Sequence, residues 1–344
     1  MIKMHKNLMA ISMLCLVLTF LPLGCGQRVT DKQQVAKDEK IVIKFSHVVA
    51  EDSPKGLAAE RFADIVRQRT GGYVEVQVFP NSTLFKDGEE LDALHAGSVQ
   101  MIAPATSKMS ALFPDWEVLD LPFAFGDVED VHTFLDGPAG KHLFQQLQTQ
   151  KLVGLATWDN GFKQMTNNAH PLVKPEDFRG LRFRVMPSPV LQEQFQALGA
   201  EAYPMPFNDV RQALAEGRVE GEENTPSNIY TQRFDQVQKF LTLSNHGYIG
   251  YVVLVSQDFW DNLPDTVRKV LEDALKEVTV WERQVAQDVN QRQLQELEKQ
   301  SQLKVYHLTA QERQRWEEVM HPVYTHLQQT LGPELKDSIA KLEP

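Results

Sequence analysis

Lys40-Ile41-Val42-Ile43-Lys44-Phe45, then Pro54 to Thr70, then Tyr73-Val74-Glu75-Val76-Gln77-Val78-Phe79: this stretch decides the architecture. The two outer runs read as strands. The run between them places Leu57, Phe62, Ile65 and Val66 at helical spacing and closes on Gly71-Gly72, the residue type on which helices end most easily. Strand, helix, strand is a βαβ opening, which implies a sheet with helices packed on it.

The pattern recurs. A helix is expected over 88–96, with strands at Val99 to Ala103 and Leu152 to Thr157. The second half repeats it with a strand Leu181 to Val185, a helix Val190 to Leu198, a strand near Glu201 to Tyr203, and a helix Phe207 to Glu216 before Gly217. Alternation of this kind defines the α/β class, whose ligands sit at the carboxyl ends of strands or between two domains. Neither Gly nor Pro occurs from Asp265 to His321, so a long helix is expected from about Pro264 to Gln300. Val267, Leu271, Ala274, Val278, Trp281, Val285 and Val289 form its apolar stripe. At 1.5 Å per residue it reaches roughly 50 Å, long enough to lie across two domains or to form a coiled-coil dimer seam. A strand at Leu303 to Leu308 and a helix opened by the Thr309 to Glu312 capping box complete the body.

The amino terminus indicates export. Lys3, His5 and Lys6 precede an apolar run from Leu8 to Phe20, too short to be a confident membrane span and patterned as a signal peptide over residues 1–24. Leu21-Pro22-Leu23-Gly24-Cys25 looks like a bacterial lipobox, with Pro22 at a position where Leu is usual, which makes Cys25 the candidate lipidation site. The other reading of Cys25, an ordinary small residue at a signal end, leaves a soluble periplasmic protein. Residues 25–39 are polar and without periodicity, as a tether would be. The remaining cysteine, Cys15, lies within the signal, so the mature body has no thiol pair for a disulfide, redox motif or thiolate metal site. The net charge of −11, from 46 acidic against 35 basic residues, argues against nucleic acid as a partner and makes any anion site a local exception.

Motifs for covalent chemistry are missing. There is no glycine-rich phosphate loop, nucleophile elbow or histidine pair at metal-ligand spacing; His95, His132, His142, His246 and His307 are scattered. Neither Glu89-Glu90 nor Glu222-Glu223 is indicated as a catalytic carboxylate pair. No metal and no cofactor is expected.

Gly180-Leu181-Arg182-Phe183-Arg184-Val185-Met186-Pro187 carries the functional question. Arg184 on this strand is either one residue of a solvated face or a buried guanidinium, and the second case demands an anion that matches its planar fork. Three segments accompany it: Trp158-Asp159-Asn160-Gly161-Phe162-Lys163-Gln164-Met165-Thr166, Arg179 to Val185, and Val219-Glu220-Gly221-Glu222-Glu223-Asn224-Thr225. With Phe45-Ser46-His47-Val48-Val49, Asn81 to Gly88, and Leu241 to Tyr248, these make the chain resemble the solute-binding proteins of TRAP transporters, most closely the DctP-type proteins for C4-dicarboxylates.

The resemblance implies a two-domain, periplasmic-binding-protein-like clamshell crossed by a long helix, with domain I over 40–160 and 250–289 and domain II over 161–249 and 290–344. It further implies that Arg184 forks onto a ligand carboxylate, that Asn224 holds the same group, and that Lys163 stands where many relatives carry a second arginine. Lys108, with Thr106 beside it, is the candidate for a distal carboxylate; His47 and Lys86 are further cationic candidates, Phe207 and Trp158 candidate walls, and Tyr248 a candidate hydroxyl. The implied activity is capture of a small organic acid such as malate, succinate or fumarate by domain closure, and delivery to the small and large TRAP permease subunits. Two other readings use the same residues: a lipoprotein that passes its ligand to a sensor kinase, and an enzyme forming an imine on Lys163 with a keto acid held by Arg184.

Overall fold

A computed structural model describes residues 40–299, 302–339 and 342. The expected signal, the tether and Cys25 lie outside the described residues. In chain order the strands are β1 (Ile41–Ser46), β2 (Val74–Phe79), β3 (Met101–Ile102), β4 (Leu152–Phe162), β5 (Gln164–Asn167), β6 (Arg182–Val185), β7 (Glu201–Pro204), β8 (Gly221–Asn224), β9 (Phe240–Leu243), β10 (Tyr248–Ser256) and β11 (Lys304–His307). They form two sheets, ordered β2-β1-β3-β10-β4 and β11-β9-β5-β8-β6-β7. In the first, β1 is parallel to β2 and β3, as the βαβ opening predicts, while β10 enters antiparallel.

The helix between β1 and β2 spans Pro54–Arg69. Ser53 caps it by accepting from Gly56 N, Pro54 occupies the first turn where no amide proton is needed, and Phe62 and Val66 are fully buried. β4 is longer than the sequence suggests, running on to Phe162, because it pairs along its length with β10. Those two strands and the short links to β5 and β9 carry the chain between the sheets.

The long helix runs Asp265–Lys299 and packs on β4, on the first helix and on the short helix Pro226–Thr231, so it touches elements of both lobes. Its buried face departs from the apolar stripe read in sequence. Glu282 and Ala286 are buried where Trp281 and Val285 were expected. The reason is polar: Glu282 Oε2 accepts a 2.9 Å bond from Asp159 N, so a carboxyl group takes a core position that an apolar template assigns elsewhere.

Helices Val128–Asp136, Pro138–Leu147, Pro322–Thr330 and Pro333–Ile339 were not anticipated. The last two join the core beside the first sheet, where Val323, Leu327, Leu331 and Ile339 pack with Leu94, Trp116 and Leu143. Tyr324 Oη donates to Pro122 O at 2.7 Å, and Gly332 N to Asp115 Oδ1 at 3.0 Å. The helix Pro322–Thr330 also packs on the helix Pro189–Ala197 of the second lobe, with Val190 in the same core and Glu193 paired to His326, so this segment touches both lobes.

Candidate functional site

Between the sheets lies a partly open cavity. The first lobe and the returning β10 contribute Val48, Val49, Asp87, Ala105, Lys108, Ile249 and Tyr251; the second contributes Arg184, Met186, Phe207, Asn224 and Asn228. Charge inside an apolar wall is what a buried anion site requires.

Arg184 sits on β6 and is 1% exposed, so the solvated-face reading does not hold. Its Nε and Nη2 both donate to Met205 O, at 3.1 and 2.9 Å, which fixes the plane of the fork. Phe207 lies beside it, ring centroid 5.9 Å from the guanidinium carbon. Burial lowers its pKa to about 10, against the opposing influence of Glu222 and Glu223, and leaves it charged at neutral pH.

Asn224 ends β8 and lines the cavity next to Arg184. Its Nδ2 donates to Glu222 Oε2 at 3.0 Å, and its Oδ1 accepts from Asn228 Nδ2 at 2.7 Å. Burial pushes Glu222 up to about 7, although Asn224, Thr166 and Arg184 act to lower it. The Asn224 amide is thus oriented by neighbours on both sides.

Lys108 lies in the 3₁₀ turn Thr106–Ala111 and reaches the cavity from the opposite lobe. Its ammonium is ion-paired with Asp87. Burial, then the nearby Lys55 and Arg184 cations, depresses its pKa well below the ordinary lysine value.

The structure puts the other expected residues outside the cavity wall. Lys163 is fully buried, and its ammonium donates to Glu223 Oε1 at 2.8 Å. Glu223 Oε2 bonds His246 Nε2 at 2.8 Å, and His246 Nδ1 bonds Ser244 Oγ at 2.7 Å. Burial acts to raise the Glu223 pKa, but Lys163 and His246 overcome it and hold the group near 2. Lys163 therefore braces an internal ion pair, and an ammonium so committed is no free imine-forming amine.

His47 is fully buried, with its edge toward Phe45, and burial together with Lys55 lowers its pKa to about 3. The next two residues, Val48 and Val49, form the wall instead. Trp158 donates to Thr279 Oγ1 at 3.1 Å on the long helix. Tyr248 donates to Asp159 Oδ1 at 2.5 Å; strand alternation puts Ile249 and Tyr251 on the cavity face of β10. Thr106 is buried behind Lys108, and Lys86 is exposed.

Sequence reading passed over Asp87, Lys55, Asn228 and Tyr251. Asp87 was hidden beside the more conspicuous Lys86. Lys55 did leave a signal, because a lysine in the first turn of a helix opposes the helix dipole, and no acid accompanies it there. Its buried ammonium donates to Ala103 O at 2.7 Å and stands 3.7 Å from the Tyr251 ring centroid. Asn228 and Tyr251 line the cavity from opposite lobes.

Two α/β lobes bridged by crossing strands and a long helix, with a cavity carrying Arg184 and Lys108 between them, have the architecture of a solute-binding protein. The chain belongs to the bacterial extracellular solute-binding proteins of family 7, the DctP family, whose model matches residues 45–330. It is 48% identical over 297 residues to the C4-dicarboxylate-binding periplasmic protein DctP of Rhodobacter capsulatus, covering 86% of this chain and 89% of that one. It is 45% identical over 319 residues to the C4-dicarboxylate-binding protein DctB of Bacillus subtilis, covering 93% and 91%. Among solved structures it resembles a TRAP periplasmic solute-binding protein from Shewanella oneidensis with bound succinate, at 40% identity and a TM-score of 0.86, covering 89% of this chain and 100% of that one. Membership places the chain with extracytoplasmic transport proteins, and no described helix is long and apolar enough to cross a membrane.

Proposed function

We propose that this protein captures a C4-dicarboxylate, such as succinate, malate or fumarate, and presents it to the small and large subunits of a TRAP membrane permease. The observation that carries this reading is the placing of Arg184 and Lys108 on opposite lobes of one cavity. One carboxylate docks on Arg184 and Asn224; the other faces Lys108, with Phe207 and Tyr251 as walls. The names of the relatives at 45 and 48% identity, and the succinate in the Shewanella structure, support the same ligand class.

Closure is the selecting step. Contacts from both lobes are complete only when the cavity is shut, and water exclusion then strengthens each charge-assisted bond. The moving units are the lobe on the first sheet and the lobe on the second, with the helix Pro322–Thr330 packed against both. Cys25 is the lipid attachment point that would hold the protein at the outer face of the cytoplasmic membrane; incorporation of labelled palmitate, lost in Cys25→Ser, tests that part. For ligand capture, isothermal titration with the three acids should give saturable 1:1 binding. Absence of binding by any small organic acid would sink the reading.

A further inference from the structure

Asp87 is the one acidic side chain among those lining the cavity, and it makes two separate connections. Within its own lobe it pairs with the Lys108 ammonium. Across the cavity its Oδ2 accepts a 2.6 Å bond from Phe207 N, while Asp87 N donates to Asn208 Oδ1 at 3.3 Å. The carboxylate is 6% exposed, so these bonds form in a water-poor setting where an ion pair is strong and an unpaired charge is costly.

Charge counting gives the consequence. The charged side chains of the cavity wall are Arg184, Lys108 and Asp87. With Asp87 ionised, Lys108 is already neutralised, and the wall presents one net positive charge. A ligand with a single carboxylate balances that charge on Arg184. A second carboxylate must share Lys108 with Asp87 and stand close to a like charge.

We propose that Asp87 sets the ligand's charge preference: its carboxylate holds part of the Lys108 ammonium that a ligand's distal carboxylate would otherwise have to itself, while its bond to Phe207 N latches the closed lobes. This rests on the dicarboxylate reading above for the place of the distal group. Asp87 acts against the very ligands that Lys108 favours, so selectivity reflects their balance and not the count of cations alone. Specificity built from an attractive and a repulsive element side by side is a common device in binding sites.

The test compares succinate with succinamate, ligands of nearly the same shape that differ by one charge. Titration of the parent and of Asp87→Asn gives the ratio of their affinities. Asparagine can still accept from Phe207 N but carries no charge, so the succinate-to-succinamate ratio should rise about tenfold or more, the difference expected between a charged partner shared and one held alone. In the double variant Asp87→Asn/Lys108→Met the ratio should fall back to or below that of the parent, because the freed cation is gone. An unchanged ratio in Asp87→Asn, or a rise that survives loss of Lys108, overturns the proposal. Should Asp87→Asn not fold, as judged by circular dichroism and thermal melting, Asp87→Ser is read on the same ratio. A parent that binds neither ligand nor any other organic acid defeats the dicarboxylate reading; a parent that binds succinate with a ratio indifferent to Asp87 defeats this inference alone.

Discussion

The guanidinium of Arg184 is held along one edge by a single carbonyl oxygen, Met205 O, and that arrangement decides which substitutions can work. Lysine keeps the charge but has neither the planar fork nor a way to satisfy Met205 O and a ligand carboxylate in the same plane. Arg184→Lys should therefore weaken succinate binding by roughly 30-fold or more, and Arg184→Ala by a further factor, on the order of 2–5 kcal/mol in all for truncating one member of a buried charged pair. Titration calorimetry on variants with native circular dichroism checks this; a lysine variant within threefold of the parent contradicts the fork. The strand pattern alone left Arg184 open between a solvated face and a buried fork, and its importance was legible only beside the motifs that carry the family resemblance. Lys163 was equally conspicuous, yet its partner Glu223 is sixty residues away on a neighbouring strand, and strand pairing cannot be read from spacing alone.

Where β4 passes toward β5, Gly161 has φ +124°, a backbone region that side-chain-bearing residues rarely adopt. A Cβ there would stand 3.0 Å from Asn290 Nδ2 on the long helix. Asn290 is itself a bracket: its Nδ2 donates to Asn160 O at 2.5 Å, and its Oδ1 accepts from Ser227 N at 3.0 Å. The long helix thereby grips the crossing strand and the second lobe at one point. Gly161→Ala should cost about 1–3 kcal/mol through backbone strain and the displaced Asn290, read as a lowered denaturant midpoint at constant m-value; an unchanged midpoint means the bend is not confined to this residue. At this scale the sequence spoke clearly where periodicity was sustained: the long helix was expected over 264–300 and is found at Asp265–Lys299. It failed where polar bonds choose the buried face, as at Glu282, and where Pro opens short helices, as at Pro138, Pro322 and Pro333, since two to three turns carry too few apolar positions to show a period.

Titratable groups buried in both lobes leave their mark on the stability of the whole molecule. Burial raises Glu90, Glu117 and Glu222 to about 7 and Asp120 to about 6, from ordinary carboxylate values near 4. In that window the folded chain holds protons that the unfolded chain has released, so each of these groups makes the protein less stable as pH rises from about 4.5 to 7. His47 has the opposite sign, because its folded pKa of about 3 lies below the unfolded value of 6.5 and stability is lost as pH falls between them. Burial lowers His246 as well, so it acts in the same direction. Burial raises Glu282 as well, and these five raised acids outweigh the two histidines and Lys108, whose depressed pKa acts as theirs does, so the net slope between pH 4.5 and 6.5 is downward with rising pH. Below 4.5 the sign turns, since Glu223 is held near 2 by Lys163 and His246 and its stabilisation drains away as it protonates. The ligand-free protein should accordingly melt at a higher temperature near pH 5 than near pH 7.5, with a steep fall below pH 4. Differential scanning calorimetry across pH 3 to 8 in one buffer series of fixed ionic strength measures this, and a melting temperature that climbs steadily to pH 7.5 would show that the buried acids are ionised and paired at no cost to the fold.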